Sequence, residues 1–290
     1  MRRKLINQTG TSNKFWNIKV EEETQIINWG KIGTKGRESV KRFLSSEECL
    51  KESKKLITQK FKKGYSEILL KESILKENEI WNEENAEHFF WEIIEKSNRS
   101  ISSHWSDYHV DDHLENLTIL LSKFEKKHIV LFQKCIREKL NELYIGNTAE
   151  LYIILNCSYK KVNGEITFDD YISTDGYIYF RCWLLLKGKA FFDDIKKDIN
   201  SFINGKYSFN IGNCWAEGLL YVCDYAYAYS FYHENLNNFE ISTETSKNYP
   251  EAIHYDDNGR NKMDREFYGG RDLQELYPHL VKSMCELRNE

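Results

Sequence analysis

KFWNIKVEEETQIINWGKIGTKGRESVKRFLSSEECLKESKKLITQKFKKGY, residues 14–65, is the stretch whose pattern decides how the chain begins to fold. Residues 14–20 and 24–32 are rich in β-branched and aromatic types, and Glu21-Glu22-Glu23 between them predicts a turn. Gly33-Thr34-Lys35-Gly36 supplies a second turn, after which 37–44 reads as a third strand. Ser45 with Glu48 has the form of a capping box. The helix it opens carries Cys49, Leu50, Leu56, Ile57 and Phe61 on one face. Gly64 stands where a helix-ending glycine is expected. Residues 1–66 thus read as one compact sheet-plus-helix module, small but able to hold a single core.

The charge is divided along the chain. Residues 1–65 hold 16 Lys/Arg against 7 Asp/Glu, a net +9, whereas 66–290 hold 25 against 38, a net −13. The overall −4 conceals that split. Opposite signs predict two modules with different partners, the basic one suited to a polyanion. The seven cysteines, 49, 135, 157, 182, 214, 223 and 285, are odd in number and form no C-x-x-C pair. That pattern predicts reduced thiols and a cytoplasmic protein. The opening MRRKLINQTG has no apolar run behind it, so it does not read as a signal peptide. No run approaches about 18 apolar residues, so no membrane span is expected.

Trp29-Gly30-Lys31 is the tripeptide that suggests chemistry. Side chains alternate along a strand, so Trp29 and Lys31 share a face. Gly30 points the other way, with no side chain to hold a partner off. An indole beside a cation suits a nucleotide, whose base or sugar packs on the ring while its phosphate meets the charge. Lys35, Arg37, Lys41 and Arg42 follow on the turn and next strand and would track a phosphate backbone. Against this, a lone tryptophan on a short strand is more often a core residue.

The aromatic strand Lys14-Phe15-Trp16, the run from Trp29 to Gly36 and the closing Lys62-Lys63-Gly64-Tyr65 together resemble a WGR domain. Poly(ADP-ribose) polymerases use that module to bind DNA breaks. The resemblance covers nearly all of residues 13–65 and implies DNA contact through Trp29 and Lys31. The family's third residue is arginine; Lys31 keeps the charge and loses the planar two-pronged fork.

Residues 67–85 read as a connector, with a helical cast over 66–80. Beyond it the periodicity is helical. Phe89, Phe90, Ile93 and Ile94 mark one helix; Asp111 or Asp112 caps the next, with Leu114, Leu117 and Leu121 on a face. Ile129, Phe132, Ile136, Leu140 and Leu143 keep the three-four spacing of another. Further helices are predicted near 147–155, 176–198, 215–232 and 272–287. Lys161 to Ile166 reads as a hairpin with an Asn163-Gly164 turn, and 233–270 as irregular. The fold class is α+β: a small antiparallel β-sheet plus helix, followed by a mostly α-helical domain over 86–290.

The run TDGYIYFRCWLLLKG, residues 174–188, with Phe90-Trp91 before it and Leu219 to Val222 after it, is similar to a bacterial family known only as domain of unknown function 4240. The resemblance spans about 86–287 and departs at 157–172, where the family is shorter. It implies a mostly helical fold and carries no assigned activity. Asp175 reads as an N-cap. Arg181, among aromatics, is either a buried ion-pair partner or part of an anion pocket, the ion pair being the commoner role. A pocket would draw on Asp175, Tyr179, Arg181, Glu217 and Tyr221; the stripe Glu217, Tyr221, Tyr225 is ordinarily a helix-packing face. His104, Asp107, His109, Asp111, Asp112 and His113 crowd together without metal-ligand spacing, so no metal is expected. There is no P-loop, G-x-S-x-G or H-E-x-x-H, and no cofactor is expected.

The function expected from these readings is non-enzymatic: a nucleic-acid-binding module, for DNA, joined to a helical protein-interaction domain in bacterial regulation, stress response or defence. Two alternatives stand beside it. One is an immunity- or antitoxin-like partner that uses the acidic helical domain. The other is an enzyme with a pocket near Asp175 and Arg181.

Overall fold

The computed structural model describes residues 2–7, 12–31, 34, 36–67, 81–98, 109–203, 214–230, 239–257 and 259–288. They fall into two compact units, Met1–Glu77 and Asn78–Glu290.

The first unit is an antiparallel sheet of β1 (Arg2–Asn7), β2 (Lys14–Glu21), β3 (Thr24–Lys31), β4 (Arg37–Arg42) and the two-residue β5 (Ser66–Glu67), in the order β4-β3-β2-β1-β5. One helix, α1 (Ser46–Lys62), packs on it. Alternation along β2 buries Trp16, Ile18 and Val20, which join Leu5, Cys49 and Ile57 in the core. Gln25 reaches across to donate to Ser53 Oγ at 2.6 Å, satisfying both groups inside.

Four readings change here. The basic opening is a strand: Leu5 is fully buried, and Asn7 Nδ2 donates to the Lys63 carbonyl at the end of α1. The cap at Ser45 accepts from Glu48 N, but the Glu48 carboxylate takes the Leu44 N–H, one residue before the reciprocal position of a capping box. The buried stripe of α1 is Cys49, Ser53, Ile57, and Phe61 is exposed at its end. Residues 66–67 extend the sheet, and the remainder of the 66–80 stretch lies outside the described residues.

The second unit is mostly helical: α2 (Ala86–Ser97), α3 (Val110–Leu121), α4 (Lys126–Glu142), α5 (Gly146–Asn156), α6 (Thr174–Leu186), α7 (Lys189–Lys197), α8 (Val222–Ser230), α9 (Glu240–Asn248), α10 (Asp272–Leu276) and α11 (Pro278–Leu287). The hairpin β6 (Tyr159–Val162) and β7 (Glu165–Phe168) interrupts it, turning at Asn163-Gly164. α6 is apolar nearly all round and accordingly buried, packed by α4, α5 and α7.

Boundaries differ from the periodicity reading for local reasons. The stretch 176–198 is two helices broken at Gly188, and 272–287 is two helices meeting at Pro278, whose missing N–H suits a first turn. A 3-10 turn, Glu217–Leu220, precedes α8. The stretch expected to be irregular contains α9, whose first-turn Ile241 N–H is taken by buried Asp224. Asp111 and Asp112 lie inside the first turn of α3, after His109, and Ser173 rather than Asp175 caps α6.

One buried carboxylate organises the C-terminal loops. Glu150 of α5 is fully enclosed and accepts from Arg265 Nη1 (2.6 Å), Arg265 Nη2 (2.9 Å), Tyr277 Oη (2.6 Å) and Tyr268 N (2.9 Å). Asp264 accepts from Gly146 N at 2.8 Å beside it. These bonds clamp the segment around 261–268 onto α5.

Candidate functional site

β3 ends on Trp29-Gly30-Lys31, and the antiparallel register sets its neighbours. Lys31 lies opposite Lys14; Trp29 lies between Trp16 of β2 and Arg37 of β4. Directly paired residues share a face, and this is the face on which α1 packs. Trp16 is sealed beneath it at 3% exposure, whereas Trp29, one strand further out, is 36% exposed. Trp29 therefore stands at the rim of the core with its indole half open to solvent.

Gly30 serves the chain's own turn. A Cβ there would come within 2.7 Å of Gly36 Cα. One on Gly36, at φ +70°, would come within 2.5 Å of Phe15 Cζ and 2.7 Å of the Trp29 carbonyl oxygen. The space that the bare glycine was expected to leave for a partner is filled from within. Thr34 fixes the same turn, donating to the Lys31 carbonyl from its hydroxyl (2.8 Å) and its N–H (3.1 Å). Trp29, Gly30, Lys31, Thr34, Gly36 and Arg37 line a shallow depression of about 470 Å³.

The cations of this face and of the end of α1 lack acidic partners among the described residues. Among the described residues, none of Lys14, Lys31, Arg37, Lys60 and Lys63 forms an ion pair. Lys60 Nζ lies 5.1 Å from the Trp16 ring centroid and 5.0 Å from that of Tyr65. Its pKa is held below the ordinary lysine value, first by burial and then by repulsion from Lys63 and Lys14. Like charges directly opposite on a sheet are destabilising, so the Lys14–Lys31 pair is a local cost that an anion would relieve.

Register sorts the residues that the sequence suggested. It joins Trp29, Lys31 and Arg37. Lys41 shares their face but lies roughly 13 Å further along β4 at the rise of an extended strand, with its Nζ 4.4 Å from the Phe43 ring centroid. Arg42, opposite Thr24, faces the other side. Lys35 lies outside the described residues. The sequence reading passed over Lys14, Lys60 and Lys63. Alternation could have placed Lys14 on the Trp16 face; the two helix-end lysines needed the docking of α1.

Of the five residues suggested for a second pocket, Asp175, Tyr179, Glu217 and Tyr221 lie near one another and Arg181 does not join them. Asp175 is exposed in the first turn of α6. Tyr179 packs against Trp215 at 4.6 Å, and burial and then the Glu217 charge raise its pKa; Tyr221 contacts Tyr225. Arg181 turns to a different side, since helix residues two apart point about 200° apart. It lines a cavity of about 510 Å³ with Tyr144, Thr174, Tyr177, Tyr255 and Phe267 among its walls, and Asp175, Tyr179, Glu217 and Tyr221 are not part of that lining. The ion pair expected for Arg181 is also absent among the described residues. Its Nη1 donates to the Leu140 carbonyl at 2.8 Å, and its Cζ lies 4.9 Å and 4.8 Å from the rings of Tyr144 and Tyr177.

Of the histidine–aspartate crowd, His104 and Asp107 lie outside the described residues. His113 is buried, with Nε2 at 2.9 Å from the Ile94 carbonyl and 2.8 Å from Ser97 Oγ. Among the described residues no group of three or more His, Cys, Asp or Glu could hold a metal ion. No described helix is long and apolar enough to cross a membrane.

Comparison with known proteins divides the chain as its geometry does. Residues 2–72 match the model of the WGR domain, and residues 86–229 that of a protein of unknown function (DUF4240). The WGR match begins at residue 2 and so takes in β1. The chain is 45% identical over 67 residues to the uncharacterized protein YfeS of Escherichia coli, covering 23% of this chain and 28% of that one. It is 40% identical over 65 residues to the protein YehF of the same organism, covering 22% and 24%. The match thus spans about a quarter of the length of these relatives. A crystal structure of a protein from Bacteroides fragilis aligns over 43% of this chain and 40% of its own at 31% identity, with a TM-score of 0.23.

Proposed function

We propose that the N-terminal module binds nucleic acid, duplex DNA in the first instance, and that the acidic helical unit carries a separate regulatory contact in a bacterial protein. Phosphates meet Lys14, Lys31, Arg37, Lys60 and Lys63, while the half-open Trp29 packs on a sugar or on a base at an end. The observation that carries this reading is the rim itself. An exposed indole shares its sheet face with Lys14, Lys31 and Arg37, of which none, among the described residues, has a carboxylate partner. The match to the WGR family supports it.

The test is a titration of the full chain with blunt duplex, nicked duplex and hairpin-capped DNA at several salt concentrations. With three to four phosphates engaged, the log–log salt slope is expected near −3, at about −0.9 per phosphate. Trp29→Ala should weaken binding about tenfold, the order of one base–aromatic stack. Arg42→Ala, on the other face, should change it far less. Binding that is indifferent to salt, or equal in Trp29→Ala and the parent, would remove the proposal.

A further inference from the structure

The helical unit holds a second arrangement that the N-terminal module does not explain. Arg181 is 3% exposed, and the cavity it lines is about 510 Å³, within the size range of small-molecule sites. Its guanidinium lies over the neighbouring rings of Tyr144 and Tyr177, whose centroids are 5.9 Å apart. Tyr177 is itself immobilised, its hydroxyl within 3.1 Å of the Leu143 and Ile145 carbonyls and 2.7 Å of Thr148 Oγ1. One edge of the guanidinium is used on the Leu140 carbonyl, and Nε has no hydrogen-bond partner. A buried charge without a counter-charge is costly, and buried cations are normally paired.

The rest of the lining fits an organic ligand. Ile172, Ile178, Met263 and Phe267 supply apolar wall, and Tyr171 stands 76% exposed among the lining residues. Asn261, Met263 and Phe267 belong to the segment that Glu150 and Asp264 fasten to α5, so this wall is held in place before anything binds. Asp170 also belongs to the lining and the Asp256 charge acts on Arg181, but both carboxylates are exposed, form no ion pair with it, and are screened by solvent and salt.

We propose that this cavity binds a small organic oxyanion, a carboxylate or phosphate monoester on a flat apolar body, with Arg181 as the counter-charge and the aromatic walls holding the body. Held against two rings and bonded to the Leu140 carbonyl, the guanidinium is fixed in place, and its remaining N–H donors suit such an oxyanion.

The experiment titrates the full chain with benzoate, phenyl phosphate and neutral benzyl alcohol by calorimetry. At least one anion should bind ten times or more tightly than the alcohol, and the two anions identify which oxyanion is preferred. Thr174→Glu is the decisive variant. Thr174 lines the cavity and is exposed in the first turn of α6, where an acidic residue favours the helix. The variant should therefore fold, with an unchanged circular dichroism spectrum, and lose at least tenfold in anion affinity. Trp29→Ala should leave that affinity unchanged, which separates this cavity from the sheet rim. The proposal is overturned if neither anion binds more tightly than the alcohol. Anion binding that survives Thr174→Glu, or that is lost in Trp29→Ala, would overturn it equally.

Discussion

At the sheet rim, Lys14, Lys31 and Arg37 share a face with an indole that is 36% exposed; inside the helical unit, one guanidinium lies 3% exposed over two tyrosine rings. Both places combine positive charge with aromatic surface, and they work in opposite ways. At the rim each contact is solvated and weak, and strength comes from number and from release of counterions, so salt governs it. In the interior a single group acts in low dielectric, where geometry decides and an unpaired partner is costly. The rim suits a long, repetitive polyanion. The interior suits one small ligand of defined shape.

That contrast can be broken or sharpened experimentally, beginning with the interior. Glu150→Ala leaves Arg265, Tyr277 and the Tyr268 N–H without their common acceptor. Arg265 retains some solvent, so the cost should fall at the low end for breaking a buried pair, about 3 kcal/mol. It would be read in urea unfolding followed by far-ultraviolet circular dichroism, to which the helices contribute most. DNA binding by surviving folded protein should be unaffected. A loss below about 1 kcal/mol would mean that the interior network behaves like a surface one.

The next effect is in pH. Burial, the largest cause, lowers the His113 pKa from 6.5 to about 4. The folded state therefore keeps His113 neutral while the unfolded chain takes up a proton. Stability is complete above about pH 6.5 and declines as pH falls toward 4, by about 2 kcal/mol at pH 5. His113→Gln should remove most of the slope between pH 6.5 and 5 in the urea midpoint. If the slope is unchanged, protonation of His113 is not its source.

The smallest effect belongs to the rim. Lys14→Gln removes one side of a like-charged cross-strand pair. Folding stability should hold or rise by a few tenths of a kcal/mol. The magnitude of the DNA salt slope should fall by roughly one. A Lys14→Gln variant that loses stability and keeps its slope would make Lys14 structural rather than part of the interface.

Much of the rim was legible before any coordinates. Alternation puts Trp29 and Lys31 on one side of a strand, and the two glycines announce the turn behind them. What alternation could not say is that Trp16 and Trp29, same-face register partners, would end at 3% and 36% exposure. That difference is set by where α1 lies across the sheet. Nor could it bring Lys60 and Lys63 to the strand they approach. The error over Arg181 was of another kind, because helical geometry already separates it from Tyr179. Grouping Arg181 with Asp175 and Tyr179 read proximity in sequence as proximity in space.

Local physics settled the elements. Strand alternation, glycine turns, the Ser45 cap and three-four apolar spacing need only neighbours a few residues away, so they are written directly in the chain. The two charge environments were decided elsewhere. Lys14 faces Lys31 across 17 residues of chain by register, and Arg181 meets the Leu140 carbonyl across 41 by packing of α6 on α4. Whether a cation is left to water or enclosed against aromatic rings depends on what the rest of the fold lays over it, and no run of adjacent residues contains that information.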